Sequence, residues 1–216
     1  MIKRIIPLLL YKNGRLVKGV KYKKFRDVGD TSSSIKIYNN QLADELMLIN
    51  ISNEEREIKN FFNSVVKKSA VSCFVPLTTG GKISKLEHIE KLLKSGSDKV
   101  LITSKIVEDI KFLELASKSF GNQCIVAGIE FKFENGDYFV TYKNSQKKSE
   151  LRLIEHLKRV QDNGAGEIIL FNVDLDGTMK GPPIKDLEKW LVSAKLPIIY
   201  SGGIGNFKHI LDIFQK

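Results

Sequence analysis

Short apolar runs recur along the chain, and each is followed by a stretch with helical spacing. Seven runs are predicted strands: residues 4–10, 45–51, 71–77, 99–103, 123–129, 167–173 and 197–201. Between them, residues 53–68 and 84–94 place apolar side chains on one helical face. Ser52 with Glu55, and Ser84 with Glu87, have capping-box spacing at their starts. Unbroken alternation of strand and helix predicts parallel strands joined by right-handed crossovers.

An internal repeat narrows the fold further. Val75-Pro76-Leu77-Thr78-Thr79-Gly80-Gly81 resembles Pro197-Ile198-Ile199-Tyr200-Ser201-Gly202-Gly203 at an offset of 122 residues, and the same offset relates Glu45 to Glu167. Two (βα)4 half-barrel repeats predict a TIM-type (β/α)8 barrel, read as a single domain over residues 1–216. The counterpart of the strand around Val100–Ile102 would fall past Lys216, so the eighth βα unit is expected to be missing, through truncation or because another chain closes the barrel.

Two insertions interrupt this rhythm. Residues 11–29 form a long connection in which Lys12, Arg15, Lys18, Lys21, Lys23, Lys24 and Arg26 meet no acid until Asp27, and it reads as a lid or a disordered loop. Residues 131–142 alternate around Asn135-Gly136 and predict a β-hairpin with a type I′ turn.

Composition changes this picture little. A net charge of +10 suits phosphorylated small molecules, nucleic acid or membrane surfaces alike. Cys73 and Cys124 sit in apolar runs and read as reduced packing thiols of a cytoplasmic protein. His88, His156 and His209 lack metal-ligand spacing and are expected on helix surfaces, so no metal and no cofactor is predicted. The apolar residues 5–10 are too few to span a membrane.

Candidate chemistry gathers at strand ends. Ile168-Ile169-Leu170-Phe171 runs through Asn172 and Val173 into Asp174, Asp176, Gly177 and Thr178, which presents two carboxylates and a turn glycine at the carboxyl end of a strand. The aspartates could orient substrate hydroxyls, move protons or merely cap the turn. Gly80-Gly81 and Ser201-Gly202-Gly203 leave equivalent strands toward helices and suit a ligand with a phosphate at each end. Lys18 could fold over such a ligand, and Glu130 at the end of the fifth strand is a second possible base.

Several separate motifs, in collinear order over nearly all 216 residues, resemble the HisF family, the cyclase subunits of imidazole glycerol phosphate synthase. They are Arg4-Ile5-Ile6-Pro7, Gly14 to Gly19, Asp44-Glu45-Leu46, Gly80-Gly81, Ala165 to Ile168, Asp174 to Thr178 and Ser201-Gly202-Gly203. The resemblance implies a HisH-like glutaminase on the amino-terminal face of the barrel, with Asp98 at that interface. It also implies ammonia passing through the barrel behind a gate of Arg4, Glu45, Lys99 and Glu167.

The catalytic face departs from the pattern. Leu10 stands where the family places one proton-transferring aspartate and Glu130 where it places the other. Asn50, Lys82 and Thr103 also replace the family's Asp, Gly and Asn. An intact gate with altered cyclase acids resembles a HisF-like paralogue that feeds ammonia to a separate sugar-amidating enzyme in surface-polysaccharide synthesis. The alternatives are the histidine-pathway cyclase, acting through Glu130, Lys18 and Asp176 on a phosphorylated substrate, and a non-catalytic glutaminase-binding remnant. Nucleic acid and membrane partners are not expected.

Overall fold

In the computed structural model, which describes residues 3–216, the chain falls into two units. The first holds residues through Lys18 together with Arg26–Ile102, and the second holds Gly19–Phe25 and Thr103–Lys216.

In chain order the first unit carries β1 (Leu8–Lys12), most of the hairpin strands β2 (Arg15–Val20) and β3 (Lys23–Gly29), α1 (Thr31–Asn40) and β4 (Leu46–Asn50). It continues through α2 (Glu55–Asn60), a π-helical turn (Phe61–Val65), α3 (Val66–Val71), β5 (Leu77–Gly80), α4 (Leu86–Lys94) and β6 (Lys99–Ile102). Strands β1, β4, β5 and β6 pair in parallel in that order. All five residues of β4 are buried, as required of a strand covered on both faces. The outer face packs under helices: Tyr11 lies against Phe61 and its hydroxyl donates to Glu57 Oε2 at 3.0 Å.

The second unit begins with α5 (Ser104–Glu108) and α6 (Lys111–Phe120), followed by β7 (Ile125–Glu134), β8 (Asp137–Tyr142), β9 (Lys147–Arg152) and α7 (Leu153–Asp162). It ends with β10 (Glu167–Asn172), α8 (Ile184–Val192), β11 (Ile198–Ser201) and α9 (Phe207–Phe214). Strands β7, β10 and β11 pair in parallel. Each unit is thus the βα repeat of a TIM-type half-barrel, with four parallel strands in the first and three in the second among the described residues. Phe131, Tyr138 and Trp190 stack edge to face and fasten α8 to the helix-covered face of β7 and β8.

The predicted hairpin at Asn135-Gly136 is present, with both residues in the left-handed region and Glu134 opposite Asp137. Its third strand, β9, has no clear alternation in sequence. Four expectations need correction. Residues 71–77 are not a strand: the amides of Ser72 and Cys73 still bond back to Ser69 and Ala70, so α3 runs to Val71 and β5 starts only at Leu77. Residues 11–29 are not an irregular loop, because β2 pairs antiparallel with β1, Tyr11 opposite Leu16.

Neither capping box forms. Ser52 Oγ accepts from the Asn13 amide instead, and α4 starts after Lys85, which makes no side-chain cap. His156 is not on a helix surface. It is 0% exposed, on the buried stripe of α7 with Leu153, Leu157 and Val160. No helix among the described residues is long and apolar enough to cross a membrane.

Candidate functional site

Strand register sorts the inner side chains of each unit. In the first unit Leu8, Leu10, Met47, Ile49, Thr78, Gly80, Lys99 and Leu101 are register partners or alternate with them, so they share one face with Glu45. Tyr11, facing the other way, meets the helices, so this face is the inner one. Glu45 closes its amino-terminal end and is only 1% exposed. Its carboxylate accepts from Arg4 Nη1 at 2.7 Å, from Lys99 Nζ at 3.1 Å and from Thr78 Oγ1 at 2.7 Å. Those donors offset the cost of burying the carboxylate. Beyond Thr78 the face is apolar, through Met47, Leu8, Ile49 and Leu10, to Gly80. Leu10 therefore stands on the inner face at the carboxyl end, where no proton can be exchanged with it.

The second unit repeats the design. Glu167, Ile169 and Phe171 of β10 lie beside Val126, Gly128 and Glu130 of β7. Glu167 and Glu130 are both 6% exposed and share a face that is apolar between them, through Ile169 and Gly128. Four residues of strand rise separate them, roughly 13 Å. Glu130 Oε2 accepts the Ser145 amide at 2.8 Å. Ser201 lies on the same face, opposite Phe171.

The turn after β10 is engaged by both insertions. Asp174 Oδ2 accepts the Phe133 amide at 2.9 Å and so pins the hairpin of β7 and β8. Asp176 meets the tip of the basic hairpin: its carbonyl accepts the Lys21 amide at 2.9 Å, and its Oδ2 lies 3.5 Å from the Tyr22 amide. A Cβ on Gly177 would come within 2.2 Å of the Gly19 oxygen, so only glycine lets the hairpin backbone seat there. Lys21 and Tyr22 both take positive φ, 51° and 58°, to make this contact. Burial, followed by the Glu130 and Asp176 carboxylates, raises the Tyr22 phenol well above its ordinary pKa and keeps it protonated. Thr178 Oγ1 turns back to the Leu175 carbonyl at 2.8 Å.

The two glycine turns are less alike than their sequences. After β5, Gly81 passes so close to Asn50 that a Cβ would meet its carbonyl oxygen at 2.1 Å, and Lys82 continues in the left-handed region while its ammonium donates to Asn53 Oδ1 at 2.8 Å. After β11, Gly203 carries the turn past the Gly181 carbonyl. In both, several residues separate the glycines from the helix start. Lys18 donates to the Leu8 carbonyl at 3.1 Å. Asp98 Oδ2 accepts the Leu77 amide at 2.8 Å, just before β6.

Residues that the sequence reading passed over are Thr78, Tyr22, Thr141 and Ser145. Thr78 was legible in principle, since it falls two residues before Gly80 on the face of Glu45. The others depend on how the insertions fold back.

Arg4, Glu45 and Lys99, three of the four residues that the motif resemblance implies for its gate, thus meet in the first unit, while Glu167 lies in the second. Comparison of the whole chain is decisive, for residues 4–216 match the histidine biosynthesis protein family. The chain belongs to that family. Among its relatives, the imidazole glycerol phosphate synthase subunit HisF of Bacillus cereus (strain G9842) is 40% identical over 217 residues, covering 100% of this chain and 86% of that protein. The subunit HisF of Exiguobacterium sp. (strain ATCC BAA-1283 / AT1b) is 38% identical, covering 99% and 84%. That of Lactococcus lactis subsp. cremoris (strain MG1363) is also 38% identical, covering 100% and 84%.

Proposed function

We propose that this member of the family is a HisF-type subunit that receives ammonia from a HisH-like glutaminase and delivers it to an acceptor at the carboxyl ends of its strands. Glu45 carries the reading. A carboxylate neutralised by Arg4 and Lys99 at the start of an apolar face is a polar door on a dry lane. Neutral ammonia moves along such a face at little cost, whereas an ion is held back by desolvation. Exposed Phe74, in the connection leading to β5, and Asp98, beside Lys99, supply an anchor and a polar rim for the glutaminase.

Leu10 supports an acceptor outside histidine-pathway cyclisation, with surface-polysaccharide amidino-sugar synthesis as the destination. The names of the relatives favour a second reading, in which the chain itself cyclises the phosphoribulosyl-formimino substrate. There Glu130, whose carboxylate accepts the Ser145 amide, and Asp176 replace the usual acid and base pair.

Two assays on the purified chain separate these readings. With ammonium salts and the phosphoribulosyl-formimino substrate, the first predicts no imidazole glycerol phosphate, while glutamine hydrolysis by a HisH-like glutaminase rises when the chain is added. Steady product formation moves the assignment to the cyclase. Absence of any glutaminase stimulation overturns the ammonia-receiving reading.

A further inference from the structure

Strand pairing sets Thr141 directly opposite Glu130, so both side chains share the inner face, 5% and 6% exposed. The Thr141 hydroxyl is buried and has no hydrogen-bond partner. The turn after β8 then takes three consecutive non-glycine residues, Lys143, Asn144 and Ser145, through the left-handed region at φ 57°, 57° and 58°. That path returns Ser145 to Glu130, where its amide donates to the carboxylate, and its own hydroxyl is also buried without a partner. The third wall is the hairpin tip docked on Asp176, with the Tyr22 phenol in the field of Glu130 and Asp176.

Each buried hydroxyl left unbonded costs about 1–3 kcal/mol, and each left-handed non-glycine residue about 1 kcal/mol. Such costs are retained where a ligand completes the bonds. The groups gathered here are two carboxylate oxygens, two aliphatic hydroxyls and a phenol. Beside the Glu130 carboxylate they offer further acceptor lone pairs. The complementary ligand is small and carries several N–H donors. The apolar face from Glu167 through Ile169 and Gly128 ends at this cluster.

We propose that Glu130, Thr141, Ser145 and Tyr22 form a holding site for ammonium at the acceptor end of the lane. The proposal rests on the ammonia-delivery reading above and names where delivered nitrogen waits. Ammonia arriving along the face takes up a proton from solvent at the carboxyl end and is held there as ammonium; passing that proton on to Glu130, which becomes the neutral acid, leaves ammonia with a free lone pair beside the acceptor.

The test is denaturation of the full chain at pH 7 in ammonium, potassium, sodium or tetramethylammonium chloride at equal ionic strength. For a dissociation constant of about 10 mM, about 100 mM ammonium raises the folded-to-unfolded ratio about tenfold over sodium. Thr141→Val with Ser145→Ala should abolish the ammonium-specific shift. Tyr22→Phe, a change on a surface hairpin that leaves the core intact, should reduce it. Equal midpoints in ammonium and sodium overturn the proposal. An equal gain in potassium overturns it in favour of an alkali-metal site, and a full shift in the double variant overturns it as misplaced. A chain that stimulates the glutaminase without an ammonium-specific shift loses this site and keeps the delivery reading. A chain with the shift and no stimulation keeps the site and loses the partner.

Discussion

His156 gives the sharpest quantitative expectation. Its ring is fully buried on α7, neither nitrogen has a hydrogen-bond partner, and Arg159 adds a positive charge nearby. Burial first, and Arg159 second, lower its pKa from 6.5 to about 4. The folded state therefore binds the proton less well than the unfolded state. Stability from the neutral ring is fully present above pH 6.5 and is lost as pH falls toward 4. Linkage between those two pKa values gives a loss of about 3 kcal/mol between pH 7 and pH 4 from this one side chain.

His156→Leu keeps the apolar stripe of Leu153, Leu157 and Val160 and removes the titration. Urea unfolding can be followed by the fluorescence of Trp190, the single tryptophan, buried in the same unit. The stability of the variant relative to the native chain should rise by about 3 kcal/mol as the buffer goes from pH 7 to pH 4. A difference independent of pH, or an imidazole that titrates in the folded protein near 6.5, would refute the reasoning.

Two further substitutions probe the Glu45 ion pairs and the seat of the basic hairpin. Lys99→Met leaves Glu45 with Arg4 and Thr78 only, and should lower stability by about 2 kcal/mol, most of it regained in Lys99→Met with Glu45→Gln; a double-mutant cycle in urea measures this, and additive losses would show that the pair is not coupled. Gly177→Ala puts a methyl against the Gly19 carbonyl at a left-handed position, so the hairpin tip should lift and trypsin should cut at Lys21, Lys23 and Lys24 about tenfold faster; unchanged cleavage would mean the tip is not seated there.

The parallel strands, their alternation with helices and the two-fold repeat were legible because a strand buried on both faces leaves a continuous apolar run. The residues 168–173 and 46–50 could scarcely be read otherwise. The shared repeat offset of Glu45 and Glu167 also matches their burial at equivalent strand starts. The misreadings all lie where a local pattern served two masters. Val71 to Val75 is apolar enough for a strand, yet a helix end consumes its amides. Ser52 has the spacing of a cap, yet its oxygen is taken by Asn13, far away in sequence. The carboxyl-end face was least legible, since Tyr22, Thr141 and Ser145 come to Glu130 and Asp176 only through folded-back insertions that carry no periodic signal. His156 was misjudged because its type suggests a surface, while its spacing with Leu153, Leu157 and Val160 marks the core.

Strand β7 has a mechanical consequence. It runs ten residues without interruption, from the buried Ile125 through Glu130 to the exposed turn at Asn135, and the Asp174 carboxylate clamps it at Phe133. The acid and the outer hairpin are therefore two points on one stiff lever, with the clamp as its fulcrum. At the tip Lys148 pairs with Glu134, so one continuous strand joins that contact to the carboxylate with no loop between them. The position of Glu130 is set as much by what touches the hairpin as by the sheet in which it begins.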